Sequence, residues 1–158
     1  MEVREYNDCV HELSDALFRF SLKSTANRED ANDVVQGAFE VLWQKRDMVV
    51  KEKAKAFLFQ VAYRQCIDTF RRKVKYAPGE LPERTETPRN TDLKKTLDAA
   101  LNILDDQSRA LVLLKDYEGY SYEEIGRITD LSDAQVKVYL HRARKTLKEY
   151  LVSIEFVL

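Results

Sequence analysis

The chain has 158 residues, 44% of them hydrophobic and 34% charged, with a formal net charge of −1. That length suits one domain or two small ones, and the apolar share is enough to bury a core. A charge this close to zero excludes nucleic-acid binding through general basicity, so any such binding must come from local patches.

Only four Gly and three Pro occur, which argues for helices rather than a strand-and-turn fold. The chain carries no run of about 18 apolar residues, and charges recur throughout residues 1–19. Neither a membrane span nor a signal peptide is expected, and the protein is placed in the cytoplasm. Cys9 and Cys66 are isolated, so no disulfide is expected in a reducing compartment. Cys9 and His11 stand two apart and share no helix face, so neither a metal nor a cofactor is expected.

The first predicted helix spans residues 4–23, with Val10, Leu13, Leu17 and Phe20 as its apolar stripe and Tyr6 one turn before. Residues 25–27 break the pattern. A second helix over residues 29–46 places Glu29, Asp30 and Asp33 in its first turns, where the helix dipole favours them. Val34, Val35, Ala38, Phe39, Leu42 and Trp43 form its expected buried face. Gly37 stands inside this helix at a cost of roughly 1 kcal/mol relative to Ala, marking either a close backbone approach or a tolerated substitution.

Residues 47–55 read as a loop, and a third helix as residues 55–75, with Phe57, Leu58, Val61, Ala62 and Ile67 inward and Tyr63, Cys66 and Phe70 beside them. It ends in Arg71, Arg72, Lys73 and Lys75. These suit a helix C-terminus by charge, or make a seat for phosphates with aromatic rings nearby for unstacked bases; spacing alone leaves both open. Residues 77–90 hold all three prolines, Pro78, Pro82 and Pro88, without an apolar period, and read as a flexible linker. The expected organisation is all-α: a three-to-four-helix bundle over 1–75, a linker over 76–91 and a second small helical domain over 92–158.

In the second part Leu93, Leu97, Leu101 and Leu104 form one stripe. Asp106 or Ser108 can open the next helix, which carries Ala110, Leu111, Leu113 and Leu114 and ends near Gly119. Residues 121–151 then read as two helices and a tight turn. Ser121 with Glu124, and Ser132 with Gln135, form two capping boxes. Val136, Leu140, Ala143, Leu147 and Leu151 make the inner stripe of the second helix, and Lys137, His141, Arg142, Arg144, Lys145 and Lys148 fall on its outer circumference. No Asp or Glu occurs over residues 135–148. A short helix, a short turn and a basic second helix describe a helix-turn-helix whose second helix can enter the major groove. The apolar tail, residues 154–158, can pack back or meet a partner.

Several blocks together carry a more specific signal. They are Asp30-Ala31-Asn32-Asp33-Val34-Val35-Gln36 with Phe39 and Leu42-Trp43, then Phe57-Leu58-Phe59-Gln60-Val61-Ala62 with Ile67-Asp68 and Arg71-Arg72. Leu101-Asn102-Ile103-Leu104 through Arg109, Gly119-Tyr120-Ser121-Tyr122-Glu123-Glu124-Ile125-Gly126 and Val136-Lys137-Val138-Tyr139-Leu140-His141-Arg142-Ala143-Arg144 follow in the second half. In this order they resemble the extracytoplasmic-function (ECF) sigma factors of bacterial RNA polymerase, in the sigma-70 family.

The resemblance implies that Asp33, Gln36 and Glu40 face a coiled coil of core polymerase. It implies that residues 47–54 and the following helix accept a base flipped from the −10 element, with Phe57, Tyr63 and Arg64, and with Arg71 and Arg72 on the backbone. Gln135, Lys137, Val138, His141, Arg142 and Lys145 would read the −35 element. An anti-sigma factor, usually membrane-anchored, is an implied third partner.

Five positions depart from the family pattern: Gly37 where Glu is usual, Phe57 for Trp, Arg64 where Asn is common, Val138 where a small polar residue often reads a base, and Asp133 near the start of the last helix, which suits its dipole but would repel phosphate. A regulator that binds duplex DNA without polymerase is the main alternative, and leaves the first-half blocks unexplained. An enzyme is not expected, since no Gly-rich phosphate loop, metal-ligand cluster or nucleophile motif is found.

Overall fold

Five of the helix starts in this chain, at Glu2, Asn27, Asp105, Ser121 and Ser132, coincide with side chains that cover unpaired N–H groups. The computed structural model describes residues 1–76 and 93–157, with side chains for 1–73 and 93–154, and contains seven α-helices and no strand among them. Apart from residue 76, the expected linker lies outside the described residues, as does Leu158 of the apolar tail.

Helix α1 (Val3–Thr25) ends where Ala26 turns into the left-handed region at φ 58°. Asn27 then caps α2 (Arg28–Gln44), its side-chain oxygen accepting from the Asp30 N–H at 2.9 Å. Helix α3 (Lys51–Tyr76) begins four residues before the apolar spacing indicates. Lys, Glu and Ala are strong helix formers without marking a buried face, and Ala54 already sits in the core. The expected loop therefore shrinks to the few residues between Gln44 and Lys51.

Helices α1, α2 and α3 pack on one another around Leu17, Phe20, Val34, Ala38, Leu42, Leu58, Ala62 and Cys66. Trp43 departs from its expected place in that core. It is 38% exposed, because Leu42 takes the inward direction and successive helical side chains diverge by about 100°. Its ring lies between Tyr6, edge-on at 4.9 Å, and the Arg46 guanidinium at 3.9 Å.

In the second half α4 (Leu93–Ile103) is followed by α5 (Asp106–Val112), which runs directly into a π-helical turn, Leu113–Tyr117. The cap of α5 is Asp105, one residue before the first of the two expected, with its carboxylate accepting from the Ser108 N–H at 2.7 Å. Of the α4 stripe only Leu101 and Leu104 are buried by this stage of the chain, while Leu93 is 74% exposed. Helices α6 (Tyr122–Thr129) and α7 (Asp133–Val157) complete the fold. Val136, Leu140 and Ala143 of α7 are buried, whereas Leu147 and Leu151 are half-buried because α7 outruns its shorter neighbours. No helix among the described residues is long and apolar enough to cross a membrane.

The two halves share one continuous hydrophobic core. Arg109 pins them together. Its guanidinium is buried and donates to the carbonyls of Leu101 and Leu104 at 2.9 Å and of Ser24 at 3.0 Å. One cation thus serves the C-terminal ends of α4 and α1, where the helix dipoles favour positive charge.

Candidate nucleic-acid interface

The helix-turn-helix of α6 and α7 is built by four local devices. The Ser121 hydroxyl accepts from the Glu124 N–H at 3.1 Å, and the Glu124 carboxylate accepts from the Ser121 N–H at 2.9 Å. Asp130 closes α6 in the left-handed region at φ 61°. Leu131 N–H donates to the Gly126 carbonyl at 3.1 Å. Ser132 and Gln135 then exchange bonds at 3.1 and 3.0 Å to open α7.

With Val136, Leu140 and Ala143 facing Ile125 and Ile128 in the core, the opposite face of α7 is left to solvent. Gln135, Lys137, Val138, His141, Arg142 and Lys145 are all exposed there. The oxygen of Gln135 is occupied by the cap, so its amide N–H groups are what it can offer a base. Val138 is 45% exposed and presents an apolar surface of the kind that meets a thymine methyl.

One neighbour of this face is already committed. Arg144 makes a two-pronged pair with Asp116, Nη2 to Oδ1 at 2.7 Å and Nε to Oδ2 at 3.3 Å. The Lys137 ammonium lies 5.6 Å from the Tyr122 ring centre, and Lys115 lies 4.6 Å from the same ring.

In the first half, Asp33, Gln36 and Glu40 are exposed together on the outer side of α2, opposite buried Ala31, Val34, Ala38 and Phe39. Asp30 is separate from this group, because Lys73 of α3 holds its carboxylate. Gly37 is the close approach of α2 to α3: a Cβ there would lie 2.8 Å from the side-chain amide of Gln65.

On α3, Arg64, Arg71 and Arg72 are exposed and Phe57 is half-buried. Tyr63 is different. It is only 6% exposed, with the Gln107 side chain within hydrogen-bonding reach of its phenol and with Asp105 and Asp106 nearby. Burial, more than those carboxylates, pushes its pKa up. The expected −10 group is therefore not assembled as one open surface here, because Tyr63 is turned under the second half.

Comparison with known proteins now has geometry to be set against. Residues 9–76 match the family described as sigma-70 region 2, and residues 94–147 match sigma-70, region 4. The RNA polymerase sigma-E factor of Streptomyces coelicolor is 31% identical over 158 residues, covering 96% of this chain and 89% of that protein. The chain belongs to the sigma-70 family, as an ECF sigma factor. The ECF RNA polymerase sigma factor SigE of Mycolicibacterium smegmatis is 27% identical over 94% of this chain, which spans 62% of the length of that relative. Among solved structures, the sigma factor RpoE of Bartonella quintana, in complex with the anti-sigma factor NepR, aligns with a TM-score of 0.80 at 25% identity. That alignment covers 94% of this chain and 98% of the other. As an ECF sigma factor, the chain is a promoter-recognising factor of transcription initiation.

Several features of this sigma factor escape sequence reading. Arg144 carries the same charge as Arg142 two positions earlier, and nothing local announces its pairing with Asp116, 28 residues away. The contact of Gln65 with Gly37 joins two helices whose own periodicities are silent about it. Only Tyr63 carried a signal, since it stands beside Ala62 and one turn before Cys66 and Ile67, on the apolar side of α3.

Proposed function

We propose that the sigma factor uses three separate surfaces. Asp33, Gln36 and Glu40 on α2 dock on core RNA polymerase. Phe57, Tyr63 and Arg64, with Arg71 and Arg72 on the phosphates, take the unpaired −10 element. Gln135, Lys137, Val138, His141, Arg142 and Lys145 on α7 read the −35 element in the major groove. The first half, residues 1–75, and the second, residues 92–158, thus divide the promoter between them.

The observation that carries this reading is the segregation on α7. One side is closed into the core by Val136, Leu140 and Ala143, and the other exposes cations with no carboxylate over residues 135–148. Arg and Lys can pair with guanine edges, each good contact giving about 1–3 kcal/mol of discrimination. A net charge of −1 fits the same reading. Phosphate neutralisation supplies most non-specific affinity, so a nearly neutral factor binds promoters well only when polymerase adds its own contacts.

The role is one of recruitment and recognition in the cytoplasm, without catalysis by this chain. The Bartonella relative is bound by an anti-sigma factor, and we include an anti-sigma factor among the partners of this chain.

The test mixes the purified protein with core polymerase free of other sigma factors and maps transcripts from fragmented genomic DNA. Discrete start sites that require the protein establish the reading. Specific duplex binding without any polymerase complex would replace it with a directly binding regulator.

A further inference from the structure

Gln135, Val138, Arg142 and Lys145 are exposed on α7, and their spacing of three, four and three residues sets them in one line along the helix. Gln135 heads that line as the third residue of α7, and the first residues of a groove-entering helix are those that meet base edges. A free glutamine amide carries one acceptor oxygen and two N–H donors. With both it pairs two-pronged with adenine, the oxygen accepting from the N6 amino group and the nitrogen donating to N7.

Gln135 is not free. Its Oε1 accepts from the Ser132 N–H at 3.0 Å, while its own backbone N–H donates to the Ser132 hydroxyl at 3.1 Å. That donor fixes the direction of the amide, since turning it over would set N–H against N–H. What remains for a base is Nε2 with its two donors. Guanine offers acceptors at both N7 and O6, thymine one at O4, and cytosine only an amino donor. Adenine would bring its N6 donor against those of Gln135. To accept from N6 instead, Oε1 must abandon the Ser132 N–H at a helix start that DNA would then cover, and an unpaired buried donor is costly.

The exposed side chains before and after Gln135 on this side of α7 do not supply the missing acceptor. Asp133 is turned back towards α6, its Oδ1 3.6 Å from where a Cβ on Gly126 would stand. Val138, one turn on, has no polar side-chain atom.

We infer that Gln135, held by its cap, selects guanine at the base pair it meets in the −35 element and discriminates against adenine. A hydrogen bond inside the protein thus sets the base preference of this position, against the adenine that the residue type by itself would favour. The inference rests on the reading of α7 as the −35 helix.

The test charges core polymerase with the full chain and selects from duplex promoters randomised through the −35 region. Gln135→Glu keeps the oxygen that caps Ser132 and removes both donors. Guanine should lose roughly fivefold or more in preference at one position, the lower end of what a good base contact discriminates, with preferences elsewhere kept. The added negative charge weakens binding to every sequence alike and leaves relative preferences alone. Ser132→Pro deletes the N–H that holds Oε1, and adenine should then rise at least to the level of guanine at that same position.

Adenine preferred by the wild type at the position that responds to Gln135→Glu overturns the inference, as does a uniform loss with no position changed. A Ser132→Pro chain that melts cooperatively and still favours guanine there overturns the cap as the cause. Failure of the underlying −35 reading looks different, because the wild-type complex would then enrich no base at any randomised position.

Discussion

A Cβ placed on Gly126 would lie 2.7 Å from the carbonyl oxygen of Leu131. That oxygen belongs to the turn which sets α7 against α6, and a backbone atom cannot swing aside as a side-chain end can. The angle at which the basic helix is presented thus depends on a missing side chain. Ala at this position would recover about 1 kcal/mol of helix propensity, partly offsetting the strain. Val recovers much less of it. Gly126→Val is expected to lower stability by about 1–3 kcal/mol, the usual range for overpacking, and to weaken −35 duplex binding. Thermal melting and fluorescence anisotropy check the two effects.

Gly37 is the opposite case. Its missing Cβ faces only the amide end of Gln65, which can rotate away. Gly37→Ala should therefore keep most of the roughly 1 kcal/mol of helix propensity and raise the melting temperature. A fall in melting temperature would mean that the Gln65 amide is held more firmly than its place at a side-chain end implies.

Arg142 and Arg144 stand on the same helix two residues apart and should behave differently. Arg142 is exposed on the outer face, so Arg142→Ala should cost about 1–3 kcal/mol of discrimination at one −35 base and leave polymerase binding intact. Arg144 is committed to Asp116, an exposed pair worth about 0–1 kcal/mol. Arg144→Ala should lower stability slightly with little change in promoter choice. Transcription in vitro from a set of single-base promoter variants separates the two; promoter choice altered more by Arg144→Ala than by Arg142→Ala would reverse the assignment.

Asp33→Arg should abolish co-purification with core polymerase while leaving the circular dichroism spectrum and melting temperature unchanged. The side chain is exposed at the N-terminal end of the Asp33, Gln36 and Glu40 face, so its reversal costs the fold little. Unimpaired association with polymerase would move the docking face elsewhere.

The two thiols should be inert in the folded chain. Cys9 and Cys66 are buried and unpaired, and burial pushes the Cys66 thiol up to about 12, with Ser21, Ser24 and Arg109 opposing weakly. The thiolate is the reactive species, so Ellman's reagent at pH 8 should titrate neither thiol until denaturant is added. The raised pKa also gives stability a direction. Its contribution is complete below the unfolded-state value, near 9, and is lost as pH rises towards the folded value. The slope is about 1.4 kcal/mol per pH unit. Urea midpoints should fall between pH 9 and pH 11, less steeply in Cys66→Ala.

Much of this protein follows from short-range physics. Caps at Asn27, Ser121 and Ser132, helical apolar spacing and the sign of charge along residues 135–148 each act within a turn or two of chain. They were enough to read the helices and the helix-turn-helix, whereas the outward place of Asp33, Gln36 and Glu40 was implied only by the family resemblance of their block. Strong helix formers without an apolar mark hid the true start of α3, and the cap at Asp105 competed with two equally polar neighbours.

Tertiary structure alone decided which charges and rings are spoken for. Tyr63 beneath Gln107, Arg19 on Glu118, Arg144 on Asp116 and Arg109 on the ends of two helices all join groups with no shared local pattern. A side chain's periodicity says which way it points. Whether another element stands there is settled only when the whole chain has packed.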